Sequence, residues 1–185
     1  MSIVTKQGDR RTTRLLSGEE VKKSELRLEV MGVADLLNAQ LGLARAFLGR
    51  LSGEAMSGVG RELFELQLDL FRFGAEISSA NPEQQPLVEL TGKSHVERIE
   101  GRINALESNF TLPRAFIIPG ATEASAAMDV ARAVARRLER LVVSLTEVGH
   151  YSNEQGLIYM NRLSDYLFLL ARWVEFSAGS SFHTM

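Results

Sequence analysis

Between Thr122 and Val148 the residues Met128, Ala131, Ala135, Leu138, Val142 and Leu145 recur at alternating steps of three and four. Only a helix presents such residues along one side; a strand would scatter them over both faces. A seam of this kind suits packing against another helix at a shallow crossing angle, so the segment predicts a long helix inside a bundle. The four prolines, at 82, 86, 113 and 119, are confined to two places and leave long stretches without helix breakers. Three- and four-residue apolar spacing predicts further helices over 26–51 and 58–77. Ser94 with Glu97 and Ser152 with Gln155 have capping-box spacing, which predicts starts for helices over 95–108 and 152–178. LPRAFIIPG, held between Pro113 and Pro119, is too short for a core helix, and no alternating strand pattern of consequence or internal repeat is present. The expected fold is all-α, an up-and-down bundle of five helices. It forms a single domain over 1–185, with an N-terminal arm at 1–25, the bundle at 26–178 and a C-terminal tail at 179–185.

The chain has no cysteine, which excludes disulfides, thiolate metal sites and cysteine nucleophiles and suits a reducing compartment. Its 21 Lys+Arg against 23 Asp+Glu leave no electrostatic footprint for nucleic acid. No apolar run approaches the length of a membrane span, and MSIVTKQGDRR has no apolar signal core. A soluble, cytoplasmic protein is expected.

On the long helix, Asp129, Arg132, Arg136, Glu139 and Arg140 share a face beside the apolar seam. Guanidinium forks suit polyphosphate, and the same residues equally describe a solvated face with i,i+4 ion pairs. The next helix pairs a stripe of Leu163, Leu167, Leu170 and Val174 with a face of Asn161, Asp165, Phe168 and Arg172. Asn161 and Asp165 either bind a ligand or tie helices together. Thr5-Lys6-Gln7-Gly8-Asp9 offers the components of a phosphate-binding loop, or it is a polar terminus. Glu147 and His150 form one Glu-x-x-His half-motif of a di-iron bundle, but no second pair exists among three histidines, so no metal site is expected from the protein alone.

Taken together, five segments resemble the PduO-type ATP:cob(I)alamin adenosyltransferases nearly end to end. TKQGDRRTT (5–13) is similar to that family's TKTGDxGxT loop, and Lys23 in VKKSEL follows. RLEVMGVADLLNAQLG keeps Arg27, Glu29, Gly32, Asp35, Asn38 and Gly42. FIIPGA (116–121), ARAVARRLER (131–140) and YMNRLSDYLFLLAR (159–172) complete the set. The resemblance implies a homotrimer of five-helix bundles, with ATP and a corrinoid at each subunit interface. Thr5, Lys6, Gly8, Asp9, Thr13 and Lys23 would cradle phosphates, and Arg136 would bind the triphosphate. Glu139 and Asn161 would hold the nucleoside, Arg132 would pair with Asp35 across the interface, and Phe116 would press on the lower face of the corrin.

The implied reaction is transfer of the 5′-deoxyadenosyl group of ATP to cob(I)alamin, giving adenosylcobalamin and triphosphate. Mg²⁺ accompanies the nucleotide, a cob(II)alamin reductase supplies the substrate and an adenosylcobalamin-dependent enzyme receives the product. Gln7, Arg11, Leu36 and Ala121 depart from the family's pattern. Arg11 stands where the family has glycine, where it either adds a phosphate contact or occupies the phosphate's place. The departures therefore leave a second function open: a non-catalytic corrinoid or nucleotide carrier, sensor or regulatory partner on the same scaffold.

Overall fold

The computed structural model describes residue 4 and residues 7–51, 53–79 and 89–185. Five helices account for most of them: α1 (Leu26–Leu48), α2 (Glu54–Ser79), α3 (Lys93–Asn109), α4 (Glu123–Glu147) and α5 (Glu154–Ser177). The all-α bundle expected from the sequence is the fold observed. Among the described residues, no helix is long and apolar enough to cross a membrane.

α4 lies between α1 and α5, α2 packs on α1, and α3 packs on α5; a contact between α2 and α5 closes the arrangement. The seam read from the sequence is the centre of the core. Met128, Ala131, Ala135, Leu138, Val142 and Leu145 are all at most 1% exposed, as are Leu163, Leu167, Leu170 and Val174 facing them from α5. The two alanines in the seam let the helices approach closely, while leucines on α1 and α2 fill the remaining space.

Helix starts differ from expectation at three places, the first being α2, which begins at Glu54 and not at 58. α3 begins at Lys93, two residues earlier than the Ser94–Glu97 spacing implies. The Gly92 amide donates to His95 Nδ1 at 3.1 Å and the His95 amide to the Gly92 carbonyl at 3.0 Å, so an imidazole does the work expected of Glu97. α5 is capped by Asn153, whose side chain accepts from the Gln155 amide at 3.1 Å, and not by Ser152. At α4, Thr122 and Ser125 cap each other as a hydroxyl pair. Part of the polar stretch after α2, including Pro82 and Pro86, lies outside the described residues.

Short strands also form where none was expected. The arm carries a 3-10 turn at Gln7–Arg10 and a hairpin of β1 (Thr12–Arg14) and β2 (Glu20–Lys22), with Thr13 opposite Val21. The C-terminal segment is likewise paired: β4 (His183–Thr184) runs antiparallel to β3 (Ile117–Ile118), and the Met185 amide donates to the Phe116 carbonyl at 3.1 Å. Ladders of two or three residues carry too little alternation to show in a sequence.

Two buried carboxylates hold the helix ends. Glu76 on α2 accepts from Tyr151 Oη and Asn153 Nδ2, both at 2.7 Å, and from the Thr91 amide at 2.9 Å. Asp69 accepts from Tyr159 Oη at 2.7 Å and from Arg72 and Arg98. Burial, then the facing carboxylate, pushes both phenols well above their usual range, so each remains a neutral donor. Gly156 is required beside this cluster, because a β-carbon there would stand 1.8 Å from Tyr151 Oη.

The deepest polar contact joins α4 to α5. Arg172, fully buried, donates through Nη2 to Asp129 Oδ2 at 2.5 Å and to Glu175 Oε1 at 3.0 Å. Its Nε also lies 2.9 Å from Glu175 Oε2, close enough for an ion pair but not aligned as a hydrogen bond. Removing one member of such a set strands the others in a medium that solvates charge poorly, at about 3–5 kcal/mol. Asp129→Leu is therefore expected to lower Tm by roughly 6–20 °C at the usual few degrees per kcal/mol for this size. Asp129→Leu combined with Arg172→Met and Glu175→Leu, which leaves no buried charge of the set unpaired, should recover much of that loss, and calorimetric melting of the two variants checks both.

Candidate functional site

The polar faces of α4 and α5 meet α3 around an open groove of about 620 Å³. Arg132 and Arg136 come to it from α4, Arg162, Asp165 and Phe168 from α5, and Glu100 from α3. Helical periodicity explains the convergence. Residues 132 and 136 are one turn apart and share a face, as do 161, 165 and 168.

The charges along this groove are sorted by partner. Arg132 Nε donates to Asp129 Oδ1 at 3.3 Å, so Asp129 bridges the half-exposed Arg132 and the buried Arg172. The Arg172 guanidinium lies 5.3 Å from the ring centre of Phe168, which lines the groove. Arg137 pairs with Glu29 of α1 at 2.7 Å, and Arg162 with Glu100 at 2.9 Å. Arg136 is exposed, and among the described residues nothing holds its side chain. It is the cation of the groove left available for an anion.

A chain of hydrogen bonds spans three helices beside it. Glu100 on α3 accepts from Arg162 Nε, Arg162 Nη1 donates to Asn161 Oδ1 at 2.8 Å, and Asn161 Nδ2 donates to Glu139 Oε1 of α4 at 2.7 Å. Asn161 and Glu139, expected to serve one ligand, thus touch each other. Arg162 and Glu100, which orient them, were not singled out from the sequence. The signal for Arg162 is only its place next to Asn161, and Glu100 lies 62 residues away.

The arm supplies the other half of the predicted site, and within one chain the halves do not meet. No described residue of the arm lines the groove. The hairpin docks instead at the end of α2, where the Leu16 amide donates to Ser78 Oγ at 2.8 Å and Leu15 and Val21 are buried. Arg27, almost fully buried, donates to both carboxylate oxygens of Glu19 at 2.8 and 2.9 Å and also bonds Glu25. These bonds, chiefly that to Arg27, hold Glu19 below the ordinary carboxylate range. Gly8 lies in the 3-10 turn, Asp9 and Lys23 are exposed and Thr13 is half-buried. Thr5 and Lys6 lie outside the described residues.

Asp35 is exposed and lines a second, smaller groove of about 280 Å³ between α1 and α2, with Leu16 and Phe71 at its edge. It does not meet Arg132 of the same chain, which is engaged by Asp129. Phe116 is 84% exposed at the start of the β3 pairing. Glu147 and His150 are both exposed at the turn after α4, and among the described residues no three His, Asp or Glu side chains gather as metal ligands.

The departures from the family pattern differ in structural consequence. Arg11 has φ +67°, the left-handed region that a glycine enters freely and that costs other L-residues about 1–2 kcal/mol. The carbonyl of this strained residue accepts from the Lys23 amide at 2.9 Å, so the turn is kept in spite of the substitution. Ala121 lies outside that region, with the positive φ carried by Gly120, and replacing a glycine there makes no backbone demand.

The family model described as cobalamin adenosyltransferase matches residues 3–174. The chain belongs to the cobalamin adenosyltransferase family. It is 36% identical over 180 residues to a corrinoid adenosyltransferase of Bacillus subtilis, with 97% of this chain and 89% of that protein aligned. It is also 36% identical over 174 residues to the corrinoid adenosyltransferase PduO of Citrobacter freundii, covering 93% of this chain. The chain spans about half that relative's length, 49%. Solved structures of variants of a PduO-type ATP:corrinoid adenosyltransferase from Lactobacillus reuteri, complexed with cobalamin and ATP, superpose over this whole chain. One gives a TM-score of 0.89 at 27% identity over 96% of its length, and another 0.87 at 29% over 99%.

The clamp on the arm has a pH signature. A carboxylate whose folded-state pKa is depressed contributes stability above its unfolded pKa, about 4.3 for Glu, and loses it as pH falls through the lower folded value. Amide exchange in the hairpin should therefore stay slow to below about pH 4 in the wild type. In Glu19→Gln the same amides should exchange faster at neutral pH, with the acid-dependent step diminished; hydrogen-exchange mass spectrometry reads both.

Proposed function

We propose that this protein transfers the 5′-deoxyadenosyl group of MgATP to cob(I)alamin, and that it does so as a homotrimer in the cytoplasm. The observation that carries the reading is Arg136: an exposed guanidinium without a partner among the described residues, in a groove beside the touching Glu139 and Asn161, in a chain of this family. The described arm lies away from its own groove, which supports a site completed by a neighbouring subunit.

In this reading Thr5, Lys6, Gly8, Asp9, Thr13 and Lys23 of one subunit cradle the phosphates against Arg136 of the next. Glu139 and Asn161 hold the nucleoside, and Asp35 meets Arg132 across the interface. Mg²⁺ enters with the nucleotide, coordinated by phosphate oxygens and water. Phe116 presses on the lower face of the corrin, where an apolar ring would displace the axial base and ease reduction of cobalt(II). A cob(II)alamin reductase precedes the step and an adenosylcobalamin-dependent enzyme follows it.

The chemistry asks for little proton transfer. Cobalt(I) attacks the 5′-carbon, the cobalt–carbon bond forms, and the carbon–oxygen bond breaks with its electron pair leaving on triphosphate. A strong nucleophile needs no general base. The protein's work is to align the reactants and to meet charge on the leaving group. Arg136 is suited to the second task because no carboxylate among the described residues neutralises it beforehand. The carrier alternative drew on Gln7 and Arg11, but the turn at Arg11 keeps the conformation that a glycine would adopt, which favours the enzyme.

Reduced cob(I)alamin mixed anaerobically with MgATP and the protein should develop the adenosylcobalamin spectrum. Arg136→Ala should lower kcat about a hundredfold or more, comparable with loss of one preorganised donor to developing charge, with the assembled state unchanged by sedimentation. Corrinoid binding without conversion by the wild type would overturn the proposal in favour of a carrier.

A further inference from the structure

The arm's charges are segregated along its hairpin. At the turn end the charges are matched: Arg14 lies 3.9 Å from Glu20, and Glu19 is engaged by Arg27. At the open end stand Arg10, Arg11, Lys22 and Lys23, all exposed, and among the described residues no ion pair or side-chain hydrogen bond holds any of them. The described acids at that end are Asp9, itself exposed, and Glu25, which Arg27 already engages. The ladder places Lys22 opposite Thr12, and the bond from the Lys23 amide to the Arg11 carbonyl brings those two backbones together. Among the described residues, four unengaged cations against one unengaged carboxylate, gathered by main-chain pairing, form an anion-attracting surface.

Within this set Arg11 is singular, as the only described non-glycine residue with positive φ. Strain of this kind persists where the surroundings enforce it, and it concentrates at ligand-binding loops. A glycine would satisfy the turn without strain, so the turn explains the backbone and leaves the arginine side chain unexplained. We propose that Arg11 is a further triphosphate-binding residue, adding a guanidinium to the arm at the position where the family's pattern has glycine. The ligand class is a polyphosphate, because a planar fork with several donors matches non-bridging phosphate oxygens and offers nothing specific to a nucleoside.

This inference rests on the reading of the arm as a phosphate loop, so the test separates the two. Inorganic triphosphate and MgATP are titrated calorimetrically into the full-length wild type, Arg11→Gly, Arg11→Ala and Arg11→Lys, at low and moderate salt. Arg11→Gly is the decisive variant, since it relieves the backbone and removes only the side chain. Its melting temperature should equal or exceed that of the wild type, while its affinity for triphosphate falls about five- to tenfold. KM for MgATP should rise in parallel with a smaller change in kcat, the pattern of binding lost equally from ground and transition states. Arg11→Lys should fall between the two, and the salt dependence of triphosphate binding should be shallower in Arg11→Gly.

A glycine variant that binds triphosphate as tightly as the wild type, or more tightly, would overturn the role of Arg11 and leave the phosphate loop standing. A wild type that binds neither triphosphate nor MgATP would overturn both. Arg11→Ala guards against a change of loop shape: matching losses in the alanine and glycine variants assign the effect to the guanidinium, whereas loss in alanine alone would refute it.

Discussion

A neutral row of four charges, Arg132, Asp129, Arg172 and Glu175, runs from the groove into the centre of the bundle, and the position of the site depends on it. Buried ion pairs of this kind seldom add stability compared with well-packed apolar residues. What this row provides is connection. Asp129 gives one oxygen to a fully buried arginine and the other to Arg132 at the groove wall. The rotation of α4 about its axis and the direction of Arg132 are therefore set by the same carboxylate. Phe168 stacks near Arg172 from the groove side, so the pocket wall and the core share an anchor.

The second polar chain, from Glu100 through Arg162 and Asn161 to Glu139, works differently. It is half exposed and spans α3, α5 and α4 at the groove mouth. Its bonds are the surface kind, individually worth little, which lets Asn161 and Glu139 exchange their mutual contact for a ligand at small cost. Arg136 takes no part in either chain. One rigid buried row and one exchangeable surface row thus leave Arg136 as the groove-lining cation that no described side chain engages, the arrangement expected where incoming charge must be met by the protein.

What the sequence revealed and what it hid divide along the range of the interactions. The α4 seam and the α5 stripe were readable because periodicity is local, and every seam residue lies in the core. The caps were partly misread: Ser94 and Ser152 have the right spacing, but His95 and Asn153 make the bonds, and spacing does not tell which of two adjacent polar residues turns inward. Arg172 was grouped with a polar face, yet it is fully buried, because its acid partner Asp129 lies 43 residues away. The same blindness covers Asp69 with Tyr159 and Glu76 with Tyr151, pairs 90 and 75 residues apart. The arm's order was hidden too, since its ladder depends on Arg27 clasping Glu19 from the first helix.

The arm shows how a mismatch with a family pattern should be weighed. A glycine in a motif can mean that the backbone must turn through positive φ, or that a side chain would collide with something. At Gly156 the second reason applies, since an added β-carbon would strike Tyr151. At position 11 the first applies, and the chain meets the demand with an arginine at +67°. At position 121 neither does. Only a substitution that fails its own geometric demand argues for lost function. Arg11 meets its demand at a cost, and a cost borne where the side chain is exposed and no described residue engages it is best accounted for by what the side chain binds.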